Sequence, residues 1–189
     1  MSMVDTQRAG SFSGVPVEPD VLAAPGLVIF GITALVLNLN LFNADIVFPA
    51  AGTLVPLTLC GGLGQLLVAA RDWSKKNLFS ATVFAAYGLF CLSLIPLVIL
   101  PRAGQAAPQS QALASYLAIW GVFSIVLFRA FSKRSRSLRL LFGFLAIFLA
   151  LAAAGAATQN LVMQTTAGYA GIIFGIDAVA VGLVGKRQG

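Results

Sequence analysis

The chain reads as an all-α, polytopic membrane protein with six transmembrane helices and both termini on the cytoplasmic side. Three observations predict this. Of its 189 residues, 59% are hydrophobic and 10% are charged, well outside the usage of soluble domains. Apolar windows recur at about the 20 residues that a helix needs to cross a hydrocarbon core about 30 Å thick. The cationic residues gather on alternate loops, as in membrane proteins of fixed orientation.

The opening stretch "MSMVDTQRAGSFSGVPVEPD" is polar, small and proline-containing, without the apolar centre of a secretory signal. Residues 1–21 are expected to be a flexible cytoplasmic tail, and 22–189 a single six-helix transmembrane domain. The first apolar window covers 24–42 and stops at the short break "NADI". The second covers 46–70 and ends in the basic loop "RDWSKKN". The third, 79–100, runs into "PRAGQAAPQSQ", whose Pro and Gly residues interrupt a helix. The fourth, 112–131, is separated by the basic "SKRSRS" from the fifth, 138–157. "TQNLVMQTT" then precedes the sixth, 167–185.

Charge placement orients these spans. Of the twelve Lys and Arg, eleven fall in the tail, in the second-to-third and fourth-to-fifth loops, or at the C-terminus; Arg102 alone falls on the other side. By the positive-inside rule the eleven mark the cytoplasmic face. The net charge of +6 therefore reflects topology, and a nucleic-acid partner is not expected, because the basic residues flank apolar helices.

Composition also narrows the chemistry. There is no histidine, and Cys60 and Cys91 both fall inside apolar spans, so neither a metal site nor a disulfide framework is expected. No carboxylates are paired close in sequence, and no phosphate-binding Gly loop precedes a Lys. The chain reads as a non-enzyme without a cofactor, surrounded by membrane lipid.

The residues that stand out are the small and polar ones inside the spans. In lipid, helices associate by close packing of small residues. In the sixth span Gly168, Gly171, Gly175, Ala178 and Gly182 recur every three or four residues as one narrow stripe. Asp177 points about 135° away from it, on the side of Ile173, Ala180 and Val184. An acid in a span is costly and commonly functional, so Asp177 is a possible proton site, the alternative being a hydrogen-bonded acid at a helix or subunit contact.

Gln65, in "CGGLGQ", is either an interhelical fastener or the lining of a path. Thr33 can bond back to its own helix, whereas the Asn38 amide has more hydrogen-bonding capacity than such a bond consumes. Tyr87, in "ATVFAAYGLFCLSL", places a phenol in an apolar segment, where its hydroxyl needs a partner. "AAYGLF" at 85–90 and "AIWGVF" at 118–123 echo one another weakly, as internal repeats and chance in a biased composition both do.

Taken in order, "FGITALVLNLNLFNA", "CGGLGQLLVAARDWSKKNLFSATVFAAYGLF", "YLAIWGVFSIVLF" and "AGYAGIIFGIDAV" resemble the acetate uptake transporter family, which includes bacterial succinate-acetate permeases. The likeness runs from about residue 24 to the end. It implies a six-helix protein of the inner (plasma) membrane that assembles as a homohexamer, each protomer holding its own path for small carboxylates. It further implies a pore constriction at Phe30, Tyr87 and Leu145, with Thr33, Asn38 and Gln65 as polar positions of the substrate path.

Two departures from the family pattern stand out. The motif Asn-Pro-Ala-Pro-Leu-Gly-Leu before the first span is here "VLAAPGL", keeping Gly26 and Leu27; and Asp177 replaces the small neutral residue usual in the sixth helix. The function expected is passage of acetate and similar small carboxylates such as succinate, by an anion channel or a proton-coupled symporter. The alternatives are a channel for ammonium or a small neutral solute, and a membrane protein that transports nothing.

Overall fold

A computed structural model describes residues 22–42, 51–102, 104–131, 133 and 135–185. The expected N-terminal tail, the break at 43–46, and Arg8, Arg134, Lys186 and Arg187 lie outside the described residues. Six helices follow one another: α1 (Ala24–Phe42), α2 (Ala51–Ser74), α3 (Leu78–Leu94, continued through Ile95–Ile99 into Leu100–Arg102), α4 (Ser110–Ala130), α5 (Arg136–Thr158) and α6 (Leu161–Gly185). Helices α2 to α6 are each long and apolar enough to cross a membrane, and Ala24–Leu39 of α1 forms a shorter apolar helix.

Local chemistry sets the boundaries, and two differ from the sequence expectation. Helix α2 continues past residue 70 to Ser74. It stops where Lys76 adopts a left-handed φ of 60°, with Asn77 N–H donating to the Asp72 carbonyl at 2.9 Å and Lys76 N–H to Trp73 at 2.9 Å, a paired closure that satisfies carbonyls at a helix end. Asn77 then caps α3, its Oδ1 accepting from Ser80 N–H at 3.3 Å.

Helix α6 begins at Leu161, six residues before 167. The break is confined to Gln159, with φ 53°, and Asn160, whose Oδ1 accepts from the N–H groups of Val162 and Met163 at 2.8 and 3.2 Å. That cap starts a helix within a polar stretch. In α3, Pro96 has no N–H to give the ladder, and the helix widens over Ile95–Ile99 so that Leu100 N–H reaches the Ile95 carbonyl.

Consecutive helices run antiparallel, and glycines let their backbones meet. Between α1 and α6, a Cβ on Gly31 would lie 2.7 Å from the Gly175 carbonyl oxygen, and one on Gly182 would lie 2.9 Å from that of Ala24. The small-residue stripe of α6 is thus the face buried against α1: Gly168, Gly171, Gly175, Ala178 and Gly182 are all buried. Gly62 and Gly88 make the same kind of approach between α2 and α3, each Cβ position 3.0 Å from the other's carbonyl oxygen.

The antiparallel order brings Arg71, Lys75 and Lys76 together with Arg129, Lys133, Arg136 and Arg139 at one end of the bundle, beside the start of α1 and the end of α6. By the positive-inside rule that end faces the cytoplasm. There, Ser80 Oγ donates to the buried Asp72 carboxylate and accepts from Ala23 N–H at 3.4 Å, tying the start of α1 to the α2–α3 turn.

Candidate functional site

Tyr87 occupies the centre of the bundle, 1% exposed. Its ring is surrounded by Phe30 (centroids 4.9 Å apart), Trp120 (5.7 Å), Phe123 (5.5 Å), Phe142 (6.3 Å) and Phe90 (6.4 Å). Phe174 meets the far side of Phe30 edge-on at 5.1 Å. Such pairs contribute about 0.5–1.5 kcal/mol each beyond their buried area. Phe30 of α1 and Tyr87 of α3 therefore meet ring to ring in an aromatic plug of the core, and Leu145 of α5 is as fully buried in the same core.

The two echoing segments also meet here. Tyr87 and Phe90 of the first interleave with Trp120 and Phe123 of the second, Phe90 and Trp120 at 4.9 Å. Matching Tyr/Trp-Gly-x-Phe spacing on α3 and α4 thereby becomes one aromatic box.

The Tyr87 hydroxyl lies 2.8 Å from Ser124 Oγ. Ser124 donates its own hydrogen to the Trp120 carbonyl at 2.8 Å, so the phenol is the donor of the shared bond. Ser124 escaped sequence reasoning. Its position one turn after the Trp120 of the aromatic echo is the signal that points to it.

On the side of this plug away from the basic end lies a cavity of about 610 Å³, lined mainly by apolar residues of α1, α3, α4, α5 and α6 together with Asn38, Gln159 and Gln164. Asn38 stands eight residues beyond Phe30 on α1, about 12 Å along the helix axis. It is 3% exposed. Its Nδ2 donates back to the Ala34 carbonyl at 2.8 Å, and its Oδ1 has no partner. The side chain packs on Gly171, where any Cβ would collide with the amide.

The other polar candidates are placed differently. Thr33 Oγ1 donates to its own helix at Ile29, 2.8 Å away, and fits against Gly61 of α2. Gln65 is fully buried, with Nε2 donating to Cys91 Sγ at 3.4 Å and Oε1 unpaired. Both lie between helices on the cavity side of the plug, Thr33 one turn from Phe30 and Cys91 one turn from Tyr87, but neither lines the cavity. Thr58, two turns before Gln65 on α2, is also fully buried with an unpaired hydroxyl; an isolated Thr in an apolar helix carries no sequence signal.

Asp177 stands apart from this site, half-buried and flanked by the exposed Ile173, Ile176, Ala180 and Val184 on the outer side of α6. Its Oδ2 is buried without a hydrogen-bond partner. The seam against α1, which supplies close helix partners, is on the other face of α6.

The aromatic cluster and the cavity thus lie one beyond the other inside a bundle of apolar helices, and the comparisons with known proteins say what such a bundle is similar to. A profile of the GPR1/FUN34/yaaH family matches residues 18–186. The chain belongs to the GPR1/FUN34/yaaH family. The succinate-acetate/proton symporter SatP of Escherichia coli K12 is 34% identical over 169 residues, 86% of this chain and 87% of that protein. An uncharacterized protein of Methanothermobacter thermautotrophicus is 36% identical over 167 residues, 84% of this chain and 80% of that one. The structure of the bacterial acetate channel SatP superposes with a TM-score of 0.75 at 31% identity, covering 85% of this chain and 88% of the other. The six-helix fold and the family resemblance read from the sequence are both borne out, and the members named by activity are a transporter and a channel.

Proposed function

We infer that this protein carries acetate and other small carboxylates, such as succinate, across the inner (plasma) membrane, through a path in each protomer that narrows at Phe30, Tyr87 and Leu145. The observation that carries the reading is the cavity above the aromatic plug, in a fold shared with a protein described as an acetate channel. A small carboxylic solute has a methyl or methylene part suited to the Phe30 and Leu145 side chains and a polar head suited to amides such as Asn38. A ring of apolar side chains resists water while it passes such a solute.

Thr33 and Gln65 lie on the cavity side of the plug and form the polar approach to it. Residues 1–21 act as a cytoplasmic tail and 22–189 as the transport domain. The broad apolar outer faces of α2, α4 and α6, including Leu67, Ile119, Val122 and Leu183, fit contacts with lipid and with copies of the chain in a homohexamer.

The test is counterflow of labelled acetate in proteoliposomes against unlabelled carboxylates of increasing length, with ammonium flux measured beside it. Acetate exchange competed by short carboxylates is expected; ammonium flux without acetate exchange rejects the assignment.

A further inference from the structure

The two turns at the basic end of the bundle are packed side by side. Phe79, at the start of α3, meets Phe131, just after α4, edge to face with ring centroids 5.5 Å apart. Phe131 stacks in turn on Phe142 of α5 at 5.5 Å, the planes 6° apart. Phe131 and Phe142 are buried, so three rings hold the α2–α3 turn against the α4–α5 turn.

On these two turns the sequence concentrates positive charge. Residues 71–76 hold three Lys or Arg and residues 129–139 hold five, against a single acid, Asp72. Asp72 is 5% exposed and takes the Ser80 hydroxyl, so it faces inward, while Arg71, Lys75, Lys76, Lys133 and Arg136 are exposed. Asp177, the other described carboxylate, stands eight residues before Gly185 on α6, about 12 Å along the axis. Lys76 closes α2 from the left-handed region, with φ 60°, a place that commonly goes to glycine. Here it carries a cation.

Fixing the orientation of the chain needs cations in these loops, but it does not need the loops packed together or bordered by large apolar side chains. Both features are present. Trp73, between Arg71 and Lys75, is 65% exposed, and Leu78, two residues after Lys76, is 54% exposed; Phe128 and Leu140, next to Arg129 and Arg139, are 37% and 45% exposed. A Trp at the end of a membrane helix settles at headgroup level. Lys and Arg reach the same level while their stems lie along apolar surface. A soluble anion would answer the cations alone, and so would an acidic protein segment; a phospholipid with a net negative headgroup answers the cations and the apolar border together.

We propose that the cytoplasmic end of each protomer holds an anionic phospholipid of the inner leaflet, its phosphodiester between the two turns among Lys75, Lys76 and Lys133, and its acyl chains along the exposed Trp73 and Leu78. The lipid braces the turns that the Phe79–Phe131 contact brings together. Each Lys or Arg near a membrane surface strengthens attraction of an anionic lipid about fivefold. The site does not depend on which solute crosses the membrane.

Trp73 supplies the reporter. The full chain is placed in phosphatidylcholine vesicles containing a small share of acyl-brominated phosphatidylglycerol or, in parallel, acyl-brominated phosphatidylcholine, and quenching of Trp fluorescence is read; a Trp73→Phe protein subtracts the signal of Trp120. Phosphatidylglycerol is expected to be preferred at Trp73 by at least about tenfold. The preference should fall to within about twofold of unity in Lys75→Gln/Lys76→Gln/Lys133→Gln, and persist when the same three residues are changed to Arg. It should also persist in Lys186→Gln/Arg187→Gln and in the presence of inorganic phosphate.

Equal quenching by the two lipids in the wild type overturns the proposal, as does a preference that survives the triple Gln substitution. Equal loss in Lys186→Gln/Arg187→Gln assigns the effect to the diffuse charge of the cytoplasmic face and overturns it too. Displacement by inorganic phosphate shows a site for free anions, and a preference found only in Glu18→Gln/Asp20→Asn shows the chain's own acidic residues in the lipid's place; either rejects the lipid. Should the triple Gln protein fail to fold, Lys76→Gln alone decides, with about a fivefold loss expected and none contradicting.

Discussion

Tyr87 donates its hydroxyl to Ser124 across the α3–α4 interface, 2.8 Å away, and this bond fixes the phenol inside a box of five aromatic rings. Ser124→Ala strands that donor where no water reaches it. Leaving a buried donor unpaired costs about 1–3 kcal/mol. The apparent unfolding temperature in detergent should fall accordingly, with the fall much reduced when Tyr87→Phe removes the stranded hydroxyl in the double variant. Additive effects of the two substitutions would contradict the pairing.

The constriction gives a second prediction. Leu145 is 1% exposed in the core that holds the plug, and Leu145→Ala removes methyl groups from it without adding a polar atom. Transport of carboxylates longer than acetate should rise several-fold relative to acetate, read by counterflow competition. An unchanged size profile in a folded variant would place the narrowing elsewhere.

Helix approach offers a contrast between two glycines. A methyl on Gly31 would sit 2.7 Å from the Gly175 carbonyl oxygen and 2.8 Å from the Val179 nitrogen, both backbone atoms, whereas one on Gly121 has its nearest neighbour at 3.6 Å, Leu149 Cβ. Gly31→Ala is expected to destabilise by about 1–3 kcal/mol. Gly121→Ala should be neutral or slightly stabilising, since Ala exceeds Gly in helix propensity by about 1 kcal/mol. Thermal unfolding of the two variants side by side checks the order.

At the basic end, Ser80 is the link between Asp72 and the N–H of Ala23. Ser80→Ala deprives a carboxylate that is 5% exposed of its hydroxyl donor, and costs about 1–3 kcal/mol. Hydrogen exchange at residues 22–26 should accelerate in that variant, and equal protection in both proteins would show that the link does not hold the start of α1.

Much of this was legible in the sequence because membrane physics writes plainly. Six apolar windows, a one-sided distribution of Lys and Arg and the Gly stripe of α6 each have a single structural outcome, and each appears. The α6 start was misplaced because "TQNLVMQTT" is polar, yet the Asn160 cap suffices to begin a helix there. Phe30, Tyr87 and Leu145 came from family likeness, not from pattern, since Phe and Leu in an apolar span are indistinguishable from lipid-facing neighbours. Asn38 could be singled out as polar, but not which of its two amide atoms would remain free, because that depends on its bond to Ala34. Ser124 and Thr58 look alike in sequence and differ only in what packs around them.

The central claim is tested most directly by uptake of radiolabelled acetate into proteoliposomes containing the wild-type chain, corrected for protein-free vesicles of the same lipid. The account predicts protein-dependent uptake that short carboxylates compete away. No acetate uptake above the protein-free vesicles at any pH would contradict it.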